Sequence, residues 1–178
     1  MNKIIVVTLI VLTFGLSGIF AQKVDEKCAI NGWIEDKEVN KDIFVHETAS
    51  PLGKTIGELE FGMQDEEQII VEIIGYTKGW LKIRKAVNVE DKVIFEGIGW
   101  IPAGRVSANV QRPDGNSKKS ATLYSQPKTS SKKVGTIPSE TLIDIIGFDC
   151  FGLKVIYKGK KGWLSRNNIC GNPVTTCS

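Results

Sequence analysis

The chain has one histidine, His46, among 178 residues. Serine and cysteine nucleophiles depend on a nearby base, most often an imidazole. His46 stands in a polar stretch that we expect to be a surface loop, and no nucleophile-elbow pattern accompanies it. We therefore predict no catalytic residues and no enzymatic activity. A small hydrolase is the alternative, and it would require a cleft built around His46.

Motifs that hold metals, nucleotides or other cofactors are missing as well. No two cysteines have the C-x-x-C spacing of a zinc site, and no glycine-rich loop is arranged to cradle phosphate. Three consecutive acidic residues, Asp65, Glu66 and Glu67, lack the ligand spacing of a calcium loop, so we interpret them as a solvated turn. We predict no metal and no cofactor.

Helical periodicity is absent after residue 21, and the one long apolar run lies before it. Residues 4–14 are mostly apolar, Lys3 precedes them, and small residues follow up to Ala21. This pattern is typical of a secretory signal peptide, which we place at residues 1–21. A retained membrane anchor is the alternative, but the run is short for a bilayer span. We expect an exported protein, periplasmic or extracellular, without membrane contact after cleavage.

Cysteine is scarce, and all four cysteines follow the expected signal peptide. An even number of cysteines in an exported chain indicates two disulfides. Four cysteines allow three pairings, and the sequence does not choose among them. Three of the four lie in the last 29 residues, so at least one bridge should be local to the C-terminal part. The cysteines are Cys28, Cys150, Cys170 and Cys177.

Charge is distributed unevenly along the chain. Residues 22–110 include 11 basic and 16 acidic residues, a net of −5, whereas residues 111–178 include 11 basic and 4 acidic residues, a net of +7. The basic part indicates either attraction to the acidic part or an anionic partner, such as a wall polymer or phospholipid headgroups. Nucleic acid is not expected, because an exported protein does not meet it and no aromatic–basic recognition motif occurs. Six lysines of the basic part fall in expected loops: Lys128, Lys132, Lys133, Lys158, Lys160 and Lys161.

The chain contains an internal repeat. Residues 71–83, V-E-I-I-G-Y-T-K-G-W-L-K-I, return at residues 143–155 as I-D-I-I-G-F-D-C-F-G-L-K-V, at a constant offset of 72. Both copies are rich in β-branched and aromatic residues on either side of a turn, which is typical of a β-hairpin. A duplicated hairpin predicts a duplicated module.

Further segments repeat in the same order around the hairpin. I-G-E-L at residues 56–59 matches V-G-T-I at residues 134–137, and G-W-I at residues 99–101 matches G-W-L at residues 162–164. Each copy thus has about five short, closely spaced strands, which predicts an all-β fold of two tandem small barrels. The expected units are a signal peptide (1–21), a first module (28–107), a linker (108–120) and a second module (121–177).

In both copies a strand leads to a polar, proline-containing loop, then to the I-G-E-L or V-G-T-I step, the hairpin and the final G-W segment. The loops are T-A-S-P-L-G-K at residues 48–54 and S-Q-P-K-T-S-S-K at residues 125–132. This order resembles the bacterial SH3 (SH3b) module, present twice. Two departures stand out: the family's usual valine-arginine before the loop is Val45-His46 here and Leu123-Tyr124 in the second copy, and Phe151-Gly152 stands where the first hairpin has Gly79-Trp80.

The resemblance implies binding and not catalysis. SH3b modules commonly attach exported proteins to the cell wall or to peptide-like ligands. We therefore expect a non-enzymatic, extracytoplasmic binding module for peptidoglycan or peptides, whose partner is cell-wall polymer or an exported protein. An exported protein–protein interaction or inhibitor module is the alternative.

Aromatic residues are the candidate ligand-binding residues. Trp80, Trp100 and Trp163 recur near equivalent positions, where tryptophans pack a barrel core or close its end. A ring that lines a shallow groove instead stacks on a sugar face or a peptide backbone. Trp33 falls outside the repeat, in a turn-rich entry at residues 28–42, and it either covers an open end of the first barrel or is exposed. The expected groove residues are Tyr76, Trp80, Tyr124 and Phe148.

Overall fold

The structure, a computed structural model, describes residues 28–34, 42–60, 68–111 and 120–172. These residues form thirteen β-strands and two short 3-10 helices, without an α-helix among them. The all-β prediction is therefore confirmed. The signal peptide expected at residues 1–21 lies outside the described residues. Within the described part, no helix has the length and apolar character that crossing a membrane requires.

All thirteen strands belong to one antiparallel sheet. Its order is β3-β2-β6-β5-β4-β1-β7-β10-β11-β12-β8-β9, and β13 pairs with β7. We call β1–β7 the first repeat and β7–β13 the second repeat. The 3-10 helices are Ala103–Arg105 and Arg166–Asn168. The strands are β1 (Ile30–Ile34), β2 (Ile43–His46), β3 (Thr55–Leu59), β4 (Ile70–Thr77), β5 (Trp80–Val87), β6 (Val93–Pro102), β7 (Val106–Val110), β8 (Ser120–Tyr124), β9 (Lys133–Pro138), β10 (Leu142–Asp149), β11 (Gly152–Tyr157), β12 (Lys160–Ser165) and β13 (Ile169–Cys170).

The two repeats share two irregularities of strand register. In the β4–β5 hairpin a β-bulge leaves Ile74 without a partner across the strands, and Ile146 is left out in the same way in the β10–β11 hairpin. The β2–β3 and β8–β9 pairs each contain a bulge as well, at Ile56 and Val134. A β-bulge bends a strand and increases its twist, so bulges at matching positions give the two repeats the same local curvature.

Strand β1 differs from the expected turn-rich entry at residues 28–42. An Asn-Gly pair in its middle is typical of a turn, but the structure places Gly32 where β1 packs against β7. A Cβ atom at Gly32 would lie 2.9 Å from Val106 Cγ1 and 3.0 Å from the Ser107 carbonyl oxygen. Close packing between β1 and β7 therefore requires glycine at this position. Because Ile30–Ile34 is a strand, the predicted turn-rich entry is wrong for these five residues.

Trp33 belongs to this strand and is only 7% exposed. It packs in the hydrophobic core together with side chains of both repeats. The possibility that Trp33 is exposed is therefore excluded.

Strand β7 is shared by the two repeats. It pairs with β1 near its beginning and with β13 near its end, and its other edge pairs with β10. As the last strand of the first repeat, β7 has the role that β13 has in the second. As the first strand of the second repeat, it pairs with β10 in the way that β1 pairs with β4. The sequence places the start of a linker at residue 108, whereas Ala108 and Val110 are buried strand residues, 0% and 1% exposed, that pack in the common core. Residues 112–119 of that linker lie outside the described residues.

A disulfide joins the two repeats. Cys28, just before β1, is bonded to Cys150 in the β10–β11 turn, 122 residues further along the chain. This bond confirms the prediction that the chain forms disulfides. Cys170 is also disulfide-bonded, and Cys177 lies outside the described residues.

Candidate functional site

Three half-buried side chains lie next to one another on the outer face of the first repeat. His46 on β2 is opposite Trp100 on β6, and Trp100 is opposite Lys82 on β5. Directly opposed residues of adjacent strands project from the same face of a sheet. Lys82 Nζ lies 5.7 Å from the centre of the Trp100 ring, within the range of a cation–π contact. Their strand neighbours Leu81 and Ile101 are fully buried, so this face points away from the core.

Trp80, at the start of β5, completes this group. Its ring meets the His46 ring edge-on, with 5.3 Å between the ring centroids and an angle of 89° between the planes. His46 Nδ1 donates a hydrogen bond to the Gly53 carbonyl oxygen at 2.9 Å, which attaches the loop at residues 47–54 to the rings. We call His46, Trp80 and Trp100 the first aromatic cluster.

The second repeat carries an equivalent group. Tyr124 on β8 is opposite Trp163 on β12, and Trp163 is opposite Lys154 on β11. Lys154 Nζ lies 6.0 Å from the centre of the Trp163 ring. The Tyr124 ring meets the Phe151 ring edge-on, at 5.9 Å between centroids and 87° between planes. We call Tyr124, Phe151 and Trp163 the second aromatic cluster; it has the framework of the first cluster with different rings.

The edge-on ring comes from a different position in the two hairpin turns. Trp80 corresponds to Gly152 at the repeat offset of 72. A Cβ atom at Gly152 would overlap the Leu164 carbonyl oxygen, so no side chain fits there. The preceding residue, Phe151, supplies the ring instead, and Asp149 accepts a hydrogen bond from its backbone N–H through Oδ1 at 2.9 Å.

Gly152→Ala is expected to lower the free energy of unfolding by about 1–3 kcal/mol, because the backbone at Leu164 has to move. Gly104→Ala is the matched control, since nothing lies within 4 Å of its added Cβ atom. We expect the control to stay within about 0.5 kcal/mol of the wild type. Urea unfolding of both variants measures the difference, and equal stabilities would contradict the close contact at Gly152.

The four groove residues expected from the sequence fall into two groups. Trp80 lies in the first aromatic cluster and Tyr124 in the second. Tyr76 and Phe148 are opposite fully buried leucines and pack against the core. The structure therefore does not bring Tyr76 and Phe148 together with the other two on the outer face.

Sequence reasoning missed the remaining cluster members. A lone histidine suggests a catalytic base, but His46 precedes the proline-containing loop as the ring-bearing Tyr124 does in the second repeat. Trp100 and Trp163 sit in the repeated G-W segments, and their half-burial on the outer face follows from strand pairing. The signal that points to these residues is their alignment between the repeats, at offsets of 78 and 63.

Acidic groups form no metal site in the part of the chain that the structure describes: no three His, Cys, Asp or Glu residues there are arranged to hold an ion. The acidic turn at residues 65–67 lies outside that part. On β3, the pKa of Glu58 is raised, first by desolvation and then by the carboxylates of Asp42 and Glu60. This edge of the first repeat is therefore an acidic surface.

A comparison with known protein families finds a match to the second repeat. Residues 119–169 match the family model of the bacterial SH3 domain, from the start of β8 to the first residue of β13. No curated protein sequence matches the chain significantly. The second repeat is therefore similar to a bacterial SH3 domain over residues 119–169, and this match does not cover the first repeat.

Two proteins of Trichomonas vaginalis are among the solved structures that match the chain. NlpC2 is 19% identical over 82% of this chain and 49% of its own, with a TM-score of 0.35. NlpC1 is 20% identical over 79% of this chain and 45% of its own, with a TM-score of 0.34. The chain spans about half the length of these two proteins.

Proposed function

We propose that the chain is an exported, non-enzymatic binding protein that holds cell-wall peptidoglycan or a peptide ligand outside the cytoplasm. The observation that carries this proposal is the match of residues 119–169 to the bacterial SH3 domain. The Cys28–Cys150 disulfide supports export, because disulfides persist in oxidising compartments.

The two aromatic clusters are the proposed contact surfaces. Half-buried rings held edge-on in fixed orientations lose little freedom when a ligand stacks on them. Lys82 and Lys154 lie beside these rings and bring a positive charge that suits a carboxylate. A short peptide or a glycan with peptide carboxylates has both of the required features.

Duplication suits a repetitive polymer. Both clusters belong to one continuous sheet, so a polymer that engages one cluster meets the other as an intramolecular partner. Such linkage raises overall affinity by roughly 10²–10⁴ when both sites can be engaged at once.

The test is sedimentation of the purified protein with insoluble peptidoglycan. Trp80→Ala combined with Tyr124→Ala is expected to weaken binding about tenfold or more, because truncated central aromatics dominate the loss at binding surfaces. Leu142→Ala is the control: this β10 side chain is 44% exposed and belongs to neither cluster. Circular dichroism establishes that all variants are folded.

Two results would count against the wall proposal: no sedimentation of the wild type above the level without peptidoglycan, or equal sedimentation of the double variant and the wild type. Binding lost equally in the Leu142→Ala control would count against the clusters as the contact surfaces.

An exported protein–protein interaction or inhibitor module is the second candidate. Phe44, Ile94 and Ile98, on β2 and β6 of the first repeat, are 48%, 36% and 52% exposed. Exposed apolar side chains mark protein–protein contacts when they form a continuous patch. Affinity capture from the extracytoplasmic fraction separates the candidates, since this one requires a defined protein chain and the wall proposal requires polymer.

A further inference from the structure

The second repeat contains an open pocket of about 520 Å³ beside the second aromatic cluster: Lys133, which lines the pocket, is the strand partner of Tyr124. Strands β8 and β9 line one side, and the turn between β11 and β12 lines the other. This volume is in the range of pockets that hold small molecules. None of the residues used to identify the aromatic clusters lines it.

The pocket is basic. Lys133, Lys158 and Lys160 line it, and no acidic residue is among the described residues that line it. Three ammonium groups around one opening attract an anion, and lysine binds phosphate and carboxylate as a point charge. The chemistry of the rim therefore selects a negatively charged ligand.

The neutral residues that line the pocket suit a sugar. Thr122 and Thr136 bring hydroxyl groups, and Tyr157 brings a half-buried ring that packs partly against the core and has Lys158 Nζ 5.3 Å from its centre. Hydroxyl groups donate and accept hydrogen bonds, and an aromatic ring packs against the apolar face of a sugar. A ring, hydroxyls and ammonium groups together match a sugar that carries an acidic group.

The corresponding surface of the first repeat has the opposite charge. At the offset of 78, Asp42, Glu58 and Glu60 stand where the second repeat has Ser120, Thr136 and Pro138. The pKa of Glu58 is raised by desolvation and by the other two carboxylates, so this surface disfavours a further anion. This surface of the first repeat therefore does not share the basic character of the pocket.

Among the described residues of the first repeat, the space that corresponds to the pocket at Gly135 is filled by a side chain. Gly57 and Gly135 are equivalent glycines on β3 and β9. A Cβ atom at Gly57 would lie 2.8 Å from the Phe95 ring, whereas at Gly135 the nearest atom is Lys160 Cδ at 3.4 Å. Phe95 covers the glycine in one repeat, and a mobile lysine side chain lies beside it in the other.

We propose that this pocket binds an acidic sugar, a monosaccharide unit bearing a phosphate or a carboxylate. The proposal rests on lining residues that belong to neither aromatic cluster, so it stands even if the clusters are not the contact surfaces for a wall polymer. A terminal or internal unit of an anionic glycan and a free sugar phosphate share this chemistry.

The experiment is an NMR titration of the whole protein with glucose 6-phosphate and with glucuronate, and with glucose and inorganic phosphate as partial ligands. We expect saturable shifts of the Thr136, Tyr157 and Lys160 amides with at least one acidic sugar, and affinities about tenfold weaker for both partial ligands. Lack of saturable shifts at these amides with either acidic sugar overturns the proposal. Equal affinities for inorganic phosphate and for the acidic sugars would overturn the claim that the sugar contributes to binding.

Variants separate the pocket from general surface charge. Lys133→Gln combined with Lys160→Gln is expected to weaken acidic-sugar binding about tenfold, and Thr136→Glu, which copies Glu58, is expected to abolish it. Lys161→Gln is the matched control, because this exposed β12 lysine does not line the pocket. An equal loss in the Lys161→Gln control overturns the assignment to this pocket. An anionic glycan that competes with glucose 6-phosphate identifies a polymer as the source, and failure to compete identifies the free sugar.

Discussion

Replacing Cys28 and Cys150 together by serine is expected to lower the free energy of unfolding by about 5 kcal/mol. The bond closes a loop of 122 residues, and in the chain-entropy model a longer loop restricts the unfolded chain more. A loss of this size is comparable with the whole stability of many domains. Urea unfolding measures the loss of stability. Non-reducing conditions are needed so that the disulfide of Cys170 stays intact in both proteins.

The native contacts around the bond justify treating the loss as an effect on the unfolded chain. Arg166 donates a hydrogen bond to the Ala29 carbonyl oxygen at 3.0 Å, and the backbone at Gly171 packs directly against Asn31. These contacts hold the beginning of β1 against the second repeat when the bridge is removed.

The single variant Cys28→Ser provides the internal control for this prediction. It breaks the same bond, so it should lose nearly as much stability as the double variant, and the two substitutions should be strongly non-additive. A loss below about 1 kcal/mol in the double variant would show that the bridge does not restrict the unfolded chain as the loop-entropy model requires.

Local pattern was enough to predict the hairpins but not the strands that join the repeats. The I-G-E-L segment at residues 56–59 lies in β3 (Thr55–Leu59), and the duplicated hairpin is present with the same bulge in both copies. Strands β1 and β7 contain glycine, serine and asparagine, which are typical of turns. They are strands because each packs and pairs with segments distant in sequence, and that information is not in the local pattern.

Local pattern also fails to predict that Tyr76 and Phe148 face the core, whereas Trp80 and Tyr124 lie on the outer face. Counting by twos from Val71 and Ile73, which are buried, places Tyr76 on the outer face of β4. The bulge at Ile74 shifts the alternation by one residue, so Tyr76 turns to the core side opposite Leu81. Phe148 follows the same course after the bulge at Ile146.

Leu81→Ala and Leu153→Ala are each expected to lower the free energy of unfolding by about 2–5 kcal/mol, and both should move one common transition. The two leucines are equivalent at the offset of 72, and both are fully buried in the single core. Truncation of a buried leucine loses its transfer free energy and leaves a cavity. Because β7 is an integral strand of both repeats, neither repeat can unfold and leave the other intact.

Urea unfolding followed by circular dichroism, with amide hydrogen exchange read separately in β5 and β11, tests this coupling. A common transition requires that Leu81→Ala accelerates amide exchange in β11 as well as in β5. Leu153→Ala should likewise accelerate exchange in β5 as well as in β11. Two separate transitions, with each substitution affecting only its own repeat, would show independent barrels and remove the role assigned to β7. Coupled unfolding would mean that the two aromatic clusters keep a fixed separation whenever the protein is folded, which is the condition for simultaneous binding to one polymer.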